Sequence, residues 1–496
     1  MNPIKKLASQ TLVYGLSSIL GRFLNYLLVP VYTYAFNSYE YGVVSEFYAY
    51  SGFLGVLLVF GFETGFFRFS QEEEEKEQVF STALIFVLAA NLVFVLLIAI
   101  FINPLASHLH YENHHEYFYW FATLLAFDSI AAIPFARLRQ ENKAWHFAGI
   151  KFAEIGITII LNLFFIWVCK PAFEHDPSST FGKLYNPAIG VGYIFIANLI
   201  ASSIKLVLLI PQFKGITRGV NRALLIKMIN YSLPMVVIGF AGIINEMLDR
   251  AILKFFLPYD NKTNMEMLGI YGACYKLSIL ITLFIQAFRY AAEPFFFSHA
   301  KEKNPQRTYA EVMKYFIIVC AGIFLLVMVY LNFFQYFIGK DFRVGLKVVP
   351  ILLMANICLG AYVNLSIWYK LTDRTQLGAV VSLFGAGITI VLNVLFIPQY
   401  GYMASAWATL VCYASMAIIS YVLGQKYYPV HYNLRKILGY IIWAVLLWVI
   451  NRELLNHVSF LNHFYWISGT ICMGLYLAAV WWLDGSGLMG KVKPMA

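Results

Sequence analysis

The chain contains one apolar segment twice. Gly156–Ile166 reads GITIILNLFFI and Gly387–Ile397 reads GITIVLNVLFI, so eight of eleven positions are identical at a displacement of 231 residues. A second pair, Tyr41-Gly42 and Tyr271-Gly272, recurs at a displacement of 230. Two matches at nearly the same displacement indicate two blocks that descend from one ancestral unit of about 230 residues. Internal repeats of this size, when they cross a membrane, are typical of transporters built from two lobes.

Composition predicts that these blocks do cross a membrane. Hydrophobic residues make up 60% of the chain, charged residues only 12%, and the mean hydropathy is +0.68. A large soluble helical protein is disfavoured because apolar runs of about 20 residues, the length that a bilayer requires, recur along the whole chain. The net charge of +10 does not predict nucleic-acid binding, because Lys and Arg concentrate in alternate short loops.

Hydropathy predicts an all-α integral membrane protein with about 14 transmembrane helices. Two parallel six-helix repeats are expected to form two lobes, followed by two extra C-terminal helices. The predicted spans are Thr11–Phe36, Val43–Phe66, Phe80–Asn103, Tyr117–Phe135, Phe147–Cys169, Pro187–Pro211, Ile229–Leu257, Leu268–Phe297, Val312–Ile338, Val348–Tyr369, Leu377–Ile397, Tyr402–Leu423, Ile437–Asn451 and Phe464–Leu483.

The expected domains follow from this count. Residues 1–228 form an N-terminal lobe with spans one to six, residues 229–430 a C-terminal lobe with spans seven to twelve, and residues 431–496 the extra spans with a cytoplasmic tail. The loops rich in Lys and Arg place both termini in the cytoplasm. Six spans per block is an even number, so the repeats are predicted to be parallel, with the substrate path between the lobes.

Ionisable residues inside predicted spans are the candidates for function, because a charge at mid-bilayer is costly and usually faces a cavity or a partner. Arg22 lies near the middle of the first span and shares its helix face with Asn25, which favours a water-filled cavity for an anion. The structural alternative is a salt bridge with Asp128 in span four. Lys276 is also too deep for easy snorkelling, and it corresponds in the repeat to Glu46.

Two further groups of charged residues lie within spans. Glu246, Asp249 and Arg250 cluster in span seven, where Glu246 and Arg250 have the i,i+4 spacing of a structural pair. Asp249 and Arg250 join the candidate substrate-binding residues Arg22, Asn25 and Lys276. Glu246, Glu154 in span five and Asp128 are the candidate sites for a coupling ion, H⁺ or Na⁺.

Enzyme chemistry and metal binding are not predicted. The sequence has no nucleotide-binding P-loop, no GxSxG motif and no credible catalytic triad, which disfavours an ATP-driven pump or a membrane hydrolase. The six cysteines are scattered and imply neither disulfides nor a zinc site. Four outer-loop histidines are a weak metal signal beside aromatic residues typical of a membrane interface: His108, His110, His114 and His115. We expect no catalytic residue, no metal and no cofactor.

Several segments resemble the Wzx-like polysaccharide flippases of the multidrug/oligosaccharidyl-lipid/polysaccharide exporter superfamily. The segments are Leu28-Val29-Pro30, Ser38–Gly42, Gly61–Gly65 with Arg68-Phe69, Pro134 with Arg137–Arg139, Ser232–Pro234, Asp249-Arg250, Leu268–Tyr271 with Lys276-Leu277, and Asn393 with Ile397–Tyr402 and Ala404–Ala406. The last group is the most specific match. The resemblance covers nearly the whole chain and agrees with the arrangement of six, six and two spans.

The resemblance implies a flippase of the bacterial cytoplasmic membrane for surface polysaccharide synthesis. Such a protein moves an undecaprenyl-pyrophosphate-linked oligosaccharide from the cytoplasmic to the periplasmic leaflet by alternating access between its lobes. The implied partners are the lipid-linked oligosaccharide, the bilayer, and a polysaccharide polymerase with its assembly proteins, but no nucleic acid. Arg22 and Lys276 are deep enough to meet the pyrophosphate, and Arg22 lies in the region where MurJ-like relatives carry a first-span arginine.

Three alternatives remain open from sequence. A lipid II flippase for peptidoglycan would have the same fold and carry a different sugar. A cation-coupled multidrug exporter would have an acidic cavity, against which Arg22 and Lys276 weigh, although Asp128, Glu154 and Glu246 keep it open. A non-transporting scaffold for polysaccharide assembly would give no reason for an arginine that faces a cavity.

Overall fold

The computed structural model describes residues 15, 19–72, 76–216, 219–299, 304–457 and 465–489, and all regular secondary structure within these ranges is helical. Contacts divide the chain into two compact units, Met1–Gly272 with Thr389–Tyr402, and Ala273–Ile388 with Met403–Ala496. The predicted lobe boundaries at residues 228 and 430 stay a prediction.

The first unit contains the helices up to Gly272 and the segment Thr389–Tyr402, and the second contains the remaining helices. The α-helices in chain order are α1 (Leu28–Ala35), α2 (Ser38–Val59), α3 (Phe62–Glu72), α4 (Lys76–Ile100), α5 (Ile102–His108), α6 (His115–Gln140), α7 (Ala144–Leu163), α8 (Lys170–His175), α9 (Gly192–Leu209), α10 (Arg222–Phe256), α11 (Asn261–Leu277), α12 (Ile279–His299), α13 (Pro305–Val329), α14 (Leu331–Phe334), α15 (Val349–Leu365), α16 (Ile367–Leu371), α17 (Thr375–Tyr400), α18 (Tyr402–Tyr427), α19 (Leu434–His457) and α20 (Tyr465–Met489).

By length and composition, 12 helices of the described residues can cross a membrane, or up to 13 if α11 and α12, which meet at a bend of 49°, form one broken span. These helices overlap every predicted span except the first. The predicted all-α membrane fold is confirmed, whereas the predicted count of 14 is not. The first predicted span, Thr11–Phe36, lies partly outside the described residues. Within its described part, residues 19–26 and α1 are helical.

Local sequence signals explain where several helices begin. Asn37 and Glu40 form a capping box at the start of α2, in which each side chain accepts a hydrogen bond from the other residue's backbone N–H at 2.9 Å. Asp260 precedes α11, and hydrogen bonds from the hydroxyl and backbone N–H of Thr263 hold the pKa of its carboxyl group below the usual range. Such caps satisfy backbone donors that have no partner within the helix.

The two sequence blocks adopt the same local structure where the structure describes both. Asn142 after α6 and Asp373 after α16 are 231 residues apart, and both have the left-handed conformation, with φ of 59° and 55°. In each case the following residue donates its N–H to the carbonyl group five residues earlier, at 2.9 and 2.8 Å. This is the Schellman ending of a helix, in which Asn and Asp tolerate a positive φ.

The repeated apolar segment shows the same correspondence. Asn162 and Asn393 are fully buried, and each donates its side-chain amide to the carbonyl group four residues earlier, Thr158 at 2.7 Å and Thr389 at 2.8 Å. Asn162 also accepts a hydrogen bond from the Tyr32 hydroxyl at 3.0 Å. A buried amide must be hydrogen-bonded, and both copies meet this requirement with the same i to i−4 hydrogen bond to the backbone.

In the first unit α2 and α11 cross with their backbones in direct contact. A Cβ added to Gly42 would overlap the carbonyl oxygen of Met265, and a Cβ added to Gly269 would overlap that of Ser38. Small residues at a crossing let helices approach closely, which favours association inside a membrane. Gly42 belongs to the duplicated Tyr-Gly pair, and α2 and α11 carry the two copies of that pair.

In the second unit the two extra C-terminal helices pack on α13. Asp484 of α20 accepts hydrogen bonds from Lys314 of α13 at 2.7 Å and from Lys436 of α19 at 2.9 Å. The Tyr440 hydroxyl of α19 donates to the other carboxylate oxygen. One carboxylate therefore joins three helices of the unit and attaches the extra pair to the repeat.

Candidate functional site

Arg22 and Asn25, the candidates from the first span, lie on the helical stretch of residues 19–26, and both side chains are exposed at the protein surface. Within the described part of the chain, the Arg22 side chain has no ion pair. The predicted alternative partner, Asp128, is engaged by other residues, which are described next. An exposed arginine inside a membrane span, the position that the sequence predicts for Arg22, needs water or an anion, because lipid cannot solvate its charge.

Asp128 and Glu154, the candidate coupling-ion residues of the first unit, meet on one ammonium group. Lys205 of α9 donates to Asp128 of α6 at 2.5 Å and to Glu154 of α7 at 2.7 Å. Only 3% of the Lys205 side chain is exposed, against 17% for Glu154 and 46% for Asp128. Ser202 also donates to Asp128, and Lys151 donates to the second oxygen of Glu154 at 3.1 Å.

Lys205 is not among the residues predicted from sequence, although it is an ionisable residue inside a predicted span. It lies inside the predicted span Pro187–Pro211, so the criterion that selected Arg22 selects it as well. Its side chain brings together two carboxylates that are 26 residues apart in sequence and belong to different helices. The sequence alone does not reveal this proximity.

A second buried ion pair joins α2 and α10. The carboxylate of Glu46 is completely buried and accepts two hydrogen bonds from Lys254, at 2.8 and 3.1 Å. The hydroxyls of Tyr50 and Tyr111 donate to its two oxygens at 2.6 and 2.7 Å. The ammonium group of Lys254 also donates to the carbonyl of Leu109 at 2.9 Å. Both charges are therefore fully hydrogen-bonded, as a stable buried pair requires.

Asp249 and Arg250 are buried in α10, and their side chains form a hydrogen-bonded ion pair. The Arg250 guanidinium donates to Asp249 at 3.3 Å and to the backbone carbonyl of Glu246. Asp249 also accepts a hydrogen bond from the Tyr271 hydroxyl of α11 at 2.5 Å. The side chain of Glu246 is exposed. The cluster thus brings Asp249 and Arg250 together and leaves the Glu246 carboxylate at the protein surface.

Lys276 lies at the end of α11, two residues before the break that separates α11 from α12. Ser278 lies at the break, and its carbonyl group accepts a hydrogen bond from the buried side-chain amide of Asn356 at 3.0 Å. The side chain of Lys276 is half-buried. Discontinuous transmembrane helices commonly form substrate and ion sites in transporters, because helix termini and freed backbone groups face a cavity there.

Two of the four histidines predicted to lie in an outer loop stack on separate aromatic side chains. His108 stacks on Phe255, with ring centroids 6.1 Å apart, and His114 stacks on Tyr117 at 4.5 Å. His114 also lies 2.9 Å from the carboxylate of Glu116. Among the described residues, no group of three His, Cys, Asp or Glu side chains is arranged to hold a metal ion.

Comparison with known proteins identifies the family. A family model described as "Polysaccharide biosynthesis protein" matches residues 7–299, more than half of the chain. The chain belongs to this family. The match confirms the predicted resemblance to polysaccharide flippases. No curated protein sequence matches the chain.

Solved structures show which fold this member of the polysaccharide biosynthesis family has. The lipid II flippase MurJ in an inward closed conformation matches with a TM-score of 0.73 at 14% identity, over 95% of this chain and 99% of MurJ. The MATE multidrug transporter DinF-BH matches with a TM-score of 0.61 at 16% identity, over 86% and 96% of the two chains. At these identities the likeness shows the fold alone, which the chain shares with these two structures.

Proposed function

We propose that this protein is a flippase that moves undecaprenyl-pyrophosphate-linked oligosaccharide across the bacterial cytoplasmic membrane for surface polysaccharide synthesis, as O-antigen, capsule or exopolysaccharide. The observation that carries the proposal is the family match over residues 7–299. The transporter fold supports it, because that fold is shared with a lipid II flippase. Alternating access between the two predicted lobes would expose the substrate site to one leaflet at a time.

Candidate cations for the pyrophosphate group are Arg22 and Lys276. A guanidinium binds phosphate oxygens through two parallel hydrogen bonds, and an ammonium group binds them as a point charge. The exposed side chain of Arg22 is accessible to a lipid headgroup. The position of Lys276 beside a broken helix is the kind of position that lines transport sites. Asn25, Asp249 and Arg250 remain candidates for polar contacts with the same substrate.

The membrane and the orientation belong to the proposal too. We place the chain in the bacterial cytoplasmic membrane with both termini in the cytoplasm, because the loops rich in Lys and Arg then lie on the cytoplasmic side. There it would meet the lipid-linked oligosaccharide where it is made, and would deliver it to a polymerase and assembly proteins. Of the candidates for a coupling ion, H⁺ or Na⁺, Glu246 has an exposed carboxylate, whereas Asp128 and Glu154 already bind the ammonium group of Lys205.

Export of surface polysaccharide in a strain that lacks its own flippase tests this function. The strain receives the wild-type chain or a single variant, Arg22→Ala or Lys276→Ala, and membrane abundance is measured in parallel. Lys262→Ala is the matched control, because it removes an exposed lysine outside the predicted cavity. We expect wild type and Lys262→Ala to restore export, and the other two variants to lose it at equal abundance.

Each other outcome has a distinct meaning. Normal export by Arg22→Ala and Lys276→Ala would show that these charges are not part of the substrate site. Failure of the wild-type chain would contradict the proposed substrate, and the lipid II flippase and the multidrug exporter would then be tested directly. Rescue of a strain depleted of its lipid II flippase would indicate a peptidoglycan precursor, and increased drug resistance would indicate a multidrug exporter.

A further inference from the structure

The three charged side chains Asp128, Lys205 and Glu154 have the arrangement of an occupied ion site. We propose that α6, α7 and α9 build a monovalent-cation site that the chain fills permanently with its own Lys205 ammonium group. The inference goes beyond the proposed function, since it concerns an ion site and does not depend on which substrate is carried. It rests on the first unit alone, in which all of these residues lie.

Oxygen atoms from three helices surround the ammonium group. The Nζ atom of Lys205 lies 2.5 Å from Asp128 Oδ1, 2.7 Å from Glu154 Oε1 and 3.2 Å from Ser202 Oγ. Carboxylate and hydroxyl oxygens are hard ligands, the type that binds hard cations such as alkali and alkaline-earth ions. The same oxygens can therefore coordinate a Na⁺ ion at the position of the ammonium group if the lysine is removed.

Charge balance points to a monovalent ion. Asp128 and Glu154 carry two negative charges, and Lys205 and Lys151 carry two positive ones, so the four groups together are neutral. Removing the Lys205 charge leaves a net charge of −1, which one Na⁺ restores to zero and a divalent ion would exceed. Glu154 is largely buried, and an uncompensated buried charge is strongly destabilising, so a cation at this position stabilises the fold.

Access to the site is one-sided. Lys205 is almost completely buried, whereas nearly half of the Asp128 side chain is exposed, at 46%. An ion from solution could therefore reach the carboxylates past Asp128 once the ammonium group is absent. In the wild-type chain the tethered lysine holds this position at an effective concentration that a dissolved ion cannot match. We therefore expect the wild-type chain to bind no Na⁺ here.

Thermal unfolding of the purified full-length protein in detergent tests the proposal. Melting temperatures are measured in NaCl and in choline chloride at equal ionic strength, for wild type, Lys205→Met and Lys205→Met with Glu154→Gln. Lys262→Met controls for the loss of an exposed lysine. We expect only Lys205→Met to show a saturable, Na⁺-specific rise in melting temperature, and the added Glu154→Gln to abolish that rise.

The melting temperatures of the wild-type chain and of Lys205→Met can each contradict the proposal. A saturable Na⁺-specific rise in the wild-type chain would show that a dissolved ion binds beside the lysine. A folded Lys205→Met chain without any Na⁺ response would show that the carboxylates are not an ion site. If Lys205→Met folds in NaCl but not in choline chloride, the proposal is supported, whereas folding that only Glu154→Gln restores would show a structural charge balance without a Na⁺ site. If neither change restores folding, Lys205 has a packing role and the proposal fails.

Discussion

The carboxylate of Glu46 depends on its neighbours more than an exposed charge would. It is fully buried, and its hydrogen bonds come from the ammonium group of Lys254 and from the hydroxyls of Tyr50 and Tyr111. Moving such a charge out of water is costly, and only the partner and the hydrogen bonds offset that cost. Removing one partner leaves the other charge buried and uncompensated, whereas removing both leaves none.

We therefore predict that Glu46→Gln and Lys254→Met each lower the free energy of unfolding by about 3–5 kcal/mol, and that the double variant regains much of the loss. Tyr50→Phe, which removes one hydrogen bond to the carboxylate, should cost less, about 1.5–3 kcal/mol. Thermal unfolding of the purified variants, analysed as a double-mutant cycle, measures the coupling. Strictly additive losses from the two single changes would show that the residues do not act as a pair.

At the scale of single residues, the sequence selects candidate residues but does not predict their partners. Counting ionisable residues within spans selects Arg22, Asp128 and Glu154, and the structure describes all three. It does not reveal that Asp128 bonds Lys205, because pairing depends on how three helices face each other. Hydropathy places an ionisable residue inside a predicted span but does not identify the group that neutralises its charge. The role of a candidate residue must therefore be inferred from the positions of its neighbours in the structure.

At the scale of elements, the crossing of α2 and α11 depends on the absence of two side chains. Gly42 and Gly269 place helix backbones in contact, and a single added methyl group at either position overlaps a carbonyl oxygen. A backbone atom cannot rotate away as a side chain can, so the helices must separate. Gly55 of α2 differs, because a Cβ added there meets nothing within 4 Å.

We predict that Gly42→Ala and Gly269→Ala each destabilise the protein by about 1–3 kcal/mol, the usual range for overpacking. Gly55→Ala is the control in the same helix, and it should be neutral or stabilising by about 0.5–1 kcal/mol, because alanine favours the helical backbone. Melting temperatures of the three purified variants decide between these expectations. Equal effects of Gly42→Ala and Gly55→Ala would mean that the crossing tolerates a wider separation.

The break between α11 and α12 shows what hydropathy cannot predict about an element. The apolar run Leu268–Phe297 predicts one continuous span, and the structure divides it at Ser278 with a bend of 49°. No proline or glycine marks the position. At the break, the carbonyl of Ser278 accepts a hydrogen bond from the side chain of Asn356, which is 78 residues later in the chain. A helix can bend where a distant side chain inserts into its backbone hydrogen bonds. A local hydropathy window does not include that side chain, so it cannot predict the bend.

At the scale of the whole molecule, duplication is the most informative property of the sequence. It predicts the membrane fold in two repeats, and the structure adds local evidence, because Asn142 and Asp373 end equivalent helices in the same conformation. The buried amides of Asn162 and Asn393 bond equivalent carbonyl groups. Packing and turn signals survive in both copies because each copy must meet the same constraints. The charged partners differ, because nothing requires the two copies to keep the same chemistry.

The direction of the repeats gives a prediction that labelling can test. Six spans per block place Asn142 and Asp373 on the same, cytoplasmic side of the membrane, whereas an odd number would place them on opposite sides. Both residues are exposed, as is Ser178 in the predicted outer loop. Five of the six native cysteines are buried and Cys358 is partly buried, so an introduced cysteine reacts against a low background.

We expect a membrane-impermeant maleimide to label Ser178→Cys in intact spheroplasts, and to label Asn142→Cys and Asp373→Cys only after the membrane is permeabilised. The unmodified chain measures the background, and export activity of each variant shows that it is folded. If Asn142→Cys and Asp373→Cys differ from each other, the repeats are inverted, because a parallel duplication forces equivalent turns to the same side. If both react in intact spheroplasts while Ser178→Cys does not, the repeats are parallel but the orientation inferred from Lys and Arg is reversed.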